Sequence, residues 1–120
     1  MATILVIDDE MTIGDAVHDI LELIEVKTLY ANSGRAGLEL FQAHHAEIGA
    51  VLLDMQMPGM NGVETLEALR KYDAKVKVIL SSGYGSVETL RQIKEPKHVT
   101  FLQKPYMLET LLDVVQKALY

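Results

Sequence analysis

Five polar side chains in this sequence come at or just after the end of a short apolar run. They are two adjacent acids, a third acid, a hydroxyl and an amine: Asp8, Asp9, Asp54, Ser82 and Lys104. Carboxylates bind hard cations through oxygen and also act as nucleophiles. A lysine adds a fixed positive charge, and a serine hydroxyl donates hydrogen bonds to phosphoryl oxygens. Side chains of these types, held together, are suited to the transfer of a phosphoryl group to a carboxylate.

Asp54 is the predicted reactive centre of this set. The apolar run Ala50–Leu53 before it is typical of a central parallel strand that is covered on both faces. Behind it, the Pro-Gly and Asn-Gly pairs within residues 58–62 predict a tight turn. A carboxylate at this point lies where open α/β sheets bind ligands, in the crevice beyond the strand tips.

The elements that would position these side chains alternate along the chain. Five runs predict strands: Thr3–Ile7, Val26–Tyr30, Ala50–Asp54, Val76–Leu80 and Val99–Leu102. Apolar residues at helical spacing follow the first, third and fifth strands: Ile13, Val17, Ile20 and Ile24; Val63, Leu66 and Leu69; Leu108, Leu111, Leu112, Val115 and Leu119. Ser33 is the predicted N-cap of the second helix, and Pro96 must close a fourth helix that begins near Ser86.

Strand and helix units of about 25 residues require right-handed crossovers, and these produce a parallel sheet with helices on both faces. The predicted fold is therefore a doubly wound five-stranded α/β domain that occupies residues 1–120 as a single unit. All strand carboxyl ends of such a sheet lie on one edge. We therefore expect the five polar side chains to converge there, although they are far apart in sequence.

Carboxylates that converge in this way need a cation. Two like charges about 4 Å apart repel by roughly 4 kcal/mol at an effective dielectric constant of about 20, which raises one pKa unless a positive charge intervenes. Mg²⁺ prefers oxygen ligands, and it binds through one or two carboxylates together with a phosphate. Such an ion also neutralises charge on a phosphoryl group during transfer, here to Asp54.

Composition excludes several other classes of function. The 120 residues include no cysteine, so disulfides, thiolate sites and Cys-ligated zinc or iron–sulfur centres are excluded. The net charge of -6 argues against direct contact with nucleic acid, which rests on clustered Lys and Arg. No apolar stretch approaches the length of a membrane span, so we expect no membrane partner and a cytoplasmic location.

Together, these motifs identify a family. The chain resembles a two-component response-regulator receiver domain, a CheY-like module, over essentially its whole length. The matching segments are Asp8-Asp9, the run from Asp54 to Gly62, Ser82-Gly83 and Lys104-Pro105, in the family's order and spacing. The resemblance implies a flavodoxin-like sheet with strand order 2-1-3-4-5. It also implies a signalling domain that promotes only its own phosphorylation and dephosphorylation, not an enzyme.

The resemblance also assigns roles around the acceptor. Asp54 would accept a phosphoryl group from the phosphohistidine of a sensor histidine kinase or phosphotransfer protein. Asp9 would ligate Mg²⁺ directly, Asp8 would assist through water, and the backbone carbonyl of Gln56 would complete the protein ligands. Mg²⁺ is the expected metal, and Mn²⁺ is an alternative.

Further roles concern the phosphoryl group and the switch. Lys104 and Ser82 would bind the phosphoryl group, and the Lys104–Pro105 peptide bond is expected to be cis. Phe101 holds the family's aromatic switch position, although core packing alone would also account for it. Its ring would turn inward as Ser82 moves toward the phosphate, which changes the face formed by the predicted fourth helix, fifth strand and fifth helix.

Two variable positions tune the lifetime of the aspartyl phosphate in this family, and here they are Gln56 and Tyr84. The segments around Ser82 and Lys104 look more similar to receivers of hybrid sensor histidine kinases than to receivers joined to winged-helix DNA-binding outputs. The sequence does not specify the downstream protein. A homodimer that forms on phosphorylation is one alternative for the partner.

Other functions remain as alternatives. A haloacid-dehalogenase-like phosphohydrolase also uses a strand-end aspartate with Mg²⁺, but it needs a second aspartate where this chain has Gln56. A flavodoxin-like cofactor binder needs a glycine- and hydroxyl-rich loop where this chain has Asp8, Asp9 and Glu10. Glu10 is interpreted as an acid at a helix start. A receiver-shaped scaffold that is never phosphorylated is disfavoured by the complete set of acids, serine and lysine.

Overall fold

Five strands run parallel in one sheet, in the order β2-β1-β3-β4-β5. The structure is a computed structural model that describes residues 2–83, 91–93 and 97–120. The strands are β1 (Thr3–Ile7), β2 (Lys27–Ala31), β3 (Ile48–Asp54), β4 (Val78–Ser82) and β5 (Val99–Gln103). The helices described are α1 (Met11–Glu22), α2 (Gly34–Ala43), α3 (Gly62–Tyr72) and α4 (Leu108–Leu119). The predicted fold class and strand order are confirmed.

Helices cover both faces of the sheet because successive strand residues point in opposite directions. Ile4 and Val6 of β1 pack in the core under α1 and α4, whereas Leu5 and Ile7 pack in the core under α2 and α3. All five residues of β1 are buried, as expected for a strand with a helix layer on each side. The strand tips are left as the place where polar side chains can meet.

Two helices begin at side-chain caps that the sequence encodes. The Ser33 hydroxyl accepts a hydrogen bond from the Ala36 N–H at 3.1 Å, as predicted for the start of α2. At the start of α3, the Asn61 side chain accepts from the Glu64 N–H and the Glu64 side chain accepts from the Asn61 N–H. This capping box fixes where α3 starts, directly after the loop that follows β3.

Some predicted boundaries were wrong. β4 was expected to end at Leu80, but it continues to Ser82 because Asp54 of β3 pairs with Ser81 and Ser82 pairs with Gln103 of β5. Val76, the expected first residue of β4, lies in the turn before the strand and donates its N–H to the Asp73 carbonyl. β2 is likewise one residue later than expected, from Lys27 to Ala31.

The predicted apolar stripe of α1 faces the core. Val17 is buried, and Ile13, Ile20 and Ile24 are partly buried against the core under α1 and α4. Gly14 and Leu21 are also buried, and Ile24 lies beyond the end of the helix. The fourth predicted helix, from about Ser86 to Pro96, falls largely outside the described residues. Within the described part of the chain, no helix combines the length and apolar character needed to cross a bilayer.

Candidate functional site

Two buried acids meet at the ends of adjacent central strands. Asp54 is the last residue of β3, and Asp8 follows the last residue of β1 directly. β1 and β3 pair in parallel, with Ile7 opposite Leu53, so the next residue of each strand is one of the two acids. Each residue is 2% exposed. Sheet register thus brings together two carboxylates that are 46 residues apart in sequence, Asp8 and Asp54.

The Lys104 ammonium group lies between these two acids. Its Nζ is 3.1 Å from Asp8 Oδ2 and 3.4 Å from Asp54 Oδ1. Lys104 follows β5, which is separated from β3 by β4, so its long side chain crosses the tip of β4 to reach the acids. The backbone N–H of Lys104 donates to the Ser82 carbonyl at 2.7 Å, which holds the Lys104 backbone beside the end of β4. The Lys104–Pro105 peptide bond is cis, the isomer that the resemblance implies.

Burial and charge together perturb the Asp54 carboxyl. Burial and the Asp8 carboxylate raise the pKa of Asp54 to about 6, against a smaller lowering by the Gln56 N–H and Lys104. Burial lowers the pKa of Lys104, but the two carboxylates more than offset it and leave that pKa above its usual value. Lys104 therefore stays charged, yet one ammonium group does not fully balance the acids around it.

Two exposed acids extend the negative charge toward solvent. Single carboxylate oxygens of Asp8, Asp9 and Glu10 all lie within 4.8 Å of one another. The Glu10 N–H donates to Asp8 Oδ1 at 2.9 Å, which folds the loop back over the buried acid. Glu10 stands at the N-cap of α1, as interpreted, but its side chain does not cap the helix. This set of donors is made of oxygen alone and fits a hard divalent cation such as Mg²⁺ or Mn²⁺.

Gln56 links the loop that follows β3 to the end of β4. Its backbone N–H donates to Asp54 Oδ1 at 3.1 Å, and its side-chain Nε2 donates to Ser82 Oγ at 3.1 Å. Its Oε1 accepts from the Gly83 N–H at 3.4 Å, a contact that orients the amide because an N–H can only donate. Ser82 itself is 3% exposed. The sequence predicted a role for Gln56 but not this bridge.

The remaining predicted positions lie around this centre or beyond the described residues. Phe101 is half-buried in β5, opposite Leu80 of β4, and packs against the core under α2 and α3. Its role as a switch stays a prediction. Tyr84 lies outside the described residues.

Two tyrosines at the site were not predicted to matter. The Tyr30 hydroxyl donates to the Asp8 carbonyl at 2.6 Å. Burial first, and then Asp8, Asp9 and Asp15, raise the pKa of Tyr30, so this phenol stays protonated and donates. The Tyr106 hydroxyl is buried without a hydrogen-bond partner among the described residues. The sequence offered only a weak signal, an aromatic residue in an edge strand and another just after Lys104-Pro105.

An apolar groove opens beside the acids. It runs between α1 and the segment that follows β5, and it is lined by Thr12, Ile13, Ala16, Val17, Ile20, Lys104, Pro105 and Tyr106. Two large apolar side chains at the starts of the flanking helices are exposed, Met11 at 65% and Met107 at 72%. An exposed apolar surface of this kind is typical of an interaction site.

Known proteins match this chain over nearly all of its length. The family model described as the response regulator receiver domain matches residues 4–116. Sporulation initiation phosphotransferase F of Bacillus subtilis is 29% identical over 116 residues, which cover 97% of this chain and 92% of that protein. Regulatory protein AtoC of Escherichia coli is 34% identical over 116 residues, which cover 97% of this chain and only 25% of that protein.

Solved structures agree with the sequence comparison. The structure of the Vibrio cholerae chemotaxis protein CheY4 superposes with a TM-score of 0.89 at 28% identity, and the match covers 99% of each chain. The matching unit thus accounts for nearly all of two small proteins and about a quarter of a larger regulator.

Proposed function

Because this chain belongs to the response regulator receiver domain family, we propose that it is the phosphoacceptor switch of a two-component phosphorelay, with Asp54 as the acceptor. The donor is the phosphohistidine of a sensor histidine kinase or of a phosphotransfer protein. A carboxylate oxygen of Asp54 forms a bond to phosphorus while the P–N bond of the phosphohistidine breaks, and the imidazole leaves with that electron pair. The product is an aspartyl phosphate.

The observation that carries this proposal is the position of the Lys104 ammonium, 3.1 Å from Asp8 and 3.4 Å from Asp54. A lysine used only for solubility would extend into water, but this side chain is 19% exposed and lies against two buried acids. Its fixed charge would keep Asp54 ionised for attack and would then pair with the phosphoryl oxygens. A purely structural ion pair does not require the additional acids Asp9 and Glu10 beside it.

The other residues of the site support the same chemistry. Asp8, Asp9, Asp54 and the Gln56 carbonyl would hold Mg²⁺, which supplies charge neutralisation for the transferring phosphoryl group. The Ser82 hydroxyl would donate to a phosphoryl oxygen, and for that it must rearrange its contact with the Gln56 amide. The burial of Asp54 would slow hydrolysis of the product by limiting the access of water.

The groove beside Lys104 is the proposed docking surface for the donor. A helix that carries the phosphohistidine would place its apolar side chains between α1 and Pro105. The exposed Met11 and Met107 adjoin the lining residues Thr12 and Tyr106 in sequence. The histidine would then face the acids at the adjacent strand tips. This position links recognition of the partner to delivery of the phosphoryl group.

The proposed output is a change in the face around β5 and α4. The Ser82 hydroxyl would move toward the phosphoryl group, and Phe101 would follow it inward from its half-buried position. A downstream protein, or a second copy of the chain, would recognise the altered face. We also propose that this chain is the receiver domain of a hybrid sensor histidine kinase.

A phosphohydrolase is a poorer fit to the same geometry. Such an enzyme needs a second carboxylate two residues after the nucleophile, to act on the leaving group. That position is Gln56, whose amide is engaged by Ser82 and Gly83.

The experiment that tests this proposal is the intact mass of the chain after incubation with acetyl phosphate and Mg²⁺. The parent chain should gain the mass of one phosphoryl group, and Asp54→Asn should gain none. Asp113→Asn is the matched control, since Asp113 is an exposed acid on α4 that pairs with Lys117, and it should behave like the parent. Equal labelling of Asp54→Asn, or no labelling of the parent, would contradict the proposal.

A further inference from the structure

The edge strand β2 holds Asp8 by both of its backbone polar groups. The Asp8 N–H donates to the Ala31 carbonyl at 3.1 Å, which continues the pairing of β1 with β2. The Asp8 carbonyl accepts from the Tyr30 hydroxyl at 2.6 Å, a contact between residues 22 positions apart. The first contact is ordinary sheet pairing. The second contact requires the tyrosine hydroxyl, which no other residue type of similar shape provides.

Gly14 of α1 leaves the space that the Tyr30 ring needs to make this contact. A Cβ added at Gly14 would lie 2.5 Å from Tyr30 Cδ1 and 2.6 Å from Tyr30 Cε1, closer than real Cβ contacts allow. Glycine is a poor residue for a helix interior. Here it lets the Tyr30 ring pass under α1 and reach the loop that joins β1 to α1. The hydroxyl and the glycine are thus two parts of one arrangement.

The carbonyl that Tyr30 holds belongs to the peptide group between Asp8 and Asp9. A peptide group is planar, so fixing its oxygen also fixes the N–H and Cα of the next residue. Asp9 is exposed and follows this peptide directly. The direction in which its carboxylate leaves the backbone therefore depends on the Tyr30 contact.

We propose that Tyr30 is a positioning residue for divalent-cation binding, which orients the Asp8–Asp9 peptide so that both carboxylates face one ion. This inference rests on the proposed function, since it concerns the metal that the receiver site would hold. Groups that orient metal ligands from outside the coordination shell commonly affect metal affinity strongly. Tyr30 would act in this way from the edge of the sheet, through a backbone oxygen.

The test is a calorimetric titration of Mg²⁺ into the full chain and its Tyr30→Phe variant. This change removes the hydroxyl and keeps the ring, so we expect the Kd for Mg²⁺ to rise about fivefold, the factor of a typical hydrogen bond. At saturating Mg²⁺, labelling by acetyl phosphate should return to the parent level, because Asp54 and Lys104 are untouched. Tyr120→Phe, at a residue that is 85% exposed, is the matched control and should bind Mg²⁺ like the parent.

A merely structural role for Tyr30 makes a different prediction. In that case Tyr30→Phe would lower the thermal midpoint without metal and leave the Kd for Mg²⁺ unchanged, and this result would overturn the inference. Gly14→Ala provides a second variant, since the added methyl group must displace the ring, and it should weaken Mg²⁺ binding in the same direction. A parent chain that binds no Mg²⁺ overturns both this inference and the proposed function, whereas equal binding by parent and Tyr30→Phe overturns this inference alone.

Discussion

Asp54 illustrates how the surroundings of a single carboxyl set its charge. Burial and the neighbouring Asp8 raise the pKa of Asp54 from 3.8 to about 6, despite the Lys104 ammonium 3.4 Å away. The folded chain therefore binds the Asp54 proton more tightly than the unfolded chain does. Linkage then requires that the free energy of unfolding falls as the pH rises from about 4 to about 6. Ionisation of Asp54 therefore lowers the free energy of unfolding of the metal-free chain.

Replacing Asp54 by Asn should remove this destabilisation. We expect the metal-free Asp54→Asn variant to be more stable than the parent at pH 7 by on the order of 2 kcal/mol, with the difference vanishing toward pH 4. Urea denaturation with a chelator at several pH values measures it. Asp113→Asn, at an exposed site, should follow the parent at every pH. A parent and Asp54→Asn with parallel pH profiles would show that Asp54 titrates normally in the fold.

The loop between β3 and α3 depends on close backbone packing, and Gly62 is where this is tightest. A Cβ added at Gly62 would lie 2.6 Å from Met55 Cα and 2.9 Å from the Asp54 carbonyl oxygen. Both of these atoms belong to the backbone and cannot move aside as a flexible side chain would. The start of α3 thus packs directly on the backbone of Asp54 and Met55, which explains the glycine at position 62.

Gly62→Ala should therefore disturb stability and acceptor chemistry together. Overpacking of this kind costs about 1–3 kcal/mol, and relief of the clash must shift Met55 and Asp54. We expect a lower urea midpoint and slower labelling by acetyl phosphate. Gly83→Ala is a control for the urea midpoint alone: an added Cβ there meets nothing within 4 Å, but the Gly83 N–H contacts the Gln56 amide at the site. Unchanged labelling in Gly62→Ala, with a normal urea midpoint, would show that the loop adapts freely.

For the fold as a whole, the order of the strands decides which side chains share the site. β1 and β3 are adjacent, so Asp8 and Asp54 are neighbours, and β5 is placed so that only a long side chain reaches them. The crowded acids are partly balanced by Lys104, and a divalent cation at the proposed metal site would complete the balance. Cation binding should therefore act on the stability of the entire domain by mass action.

Mg²⁺ should accordingly raise the thermal midpoint of the parent chain. At ten times its Kd, a single bound ion adds about 1.4 kcal/mol to the free energy of unfolding. Asp9→Asn removes an exposed carboxylate that is proposed to bind the ion, and it does not alter the core, so the midpoint of this variant should respond much less to Mg²⁺. Differential scanning calorimetry with Mg²⁺, compared with the same ionic strength of NaCl, measures the effect. Identical shifts in the two salts would indicate screening of charge and not a site.

Most of the architecture could be predicted from periodicity and from residue types. Apolar runs that alternate with amphipathic segments leave few arrangements other than a parallel doubly wound sheet, because crossovers are right-handed. Parallel strands end on the same edge, so the meeting of Asp8, Asp54 and Lys104 also follows from the pattern. The boundaries of β2 and β4 did not follow, because the pairing partners of each strand set them.

What the tertiary structure alone decided is where the flexible side chains reach. Spacing along the chain placed Lys104 at the edge that holds the acids, but not between Asp8 and Asp54 at 3.1 and 3.4 Å. It also gave no hint that the Gln56 amide reaches Ser82 or that the Tyr30 hydroxyl holds the Asp8 carbonyl. The direction of a strand or helix is set by local hydrogen bonds and by the apolar pattern, both of which are encoded over a few residues. The direction of a long polar side chain is set by partners that only the folded chain brings within reach.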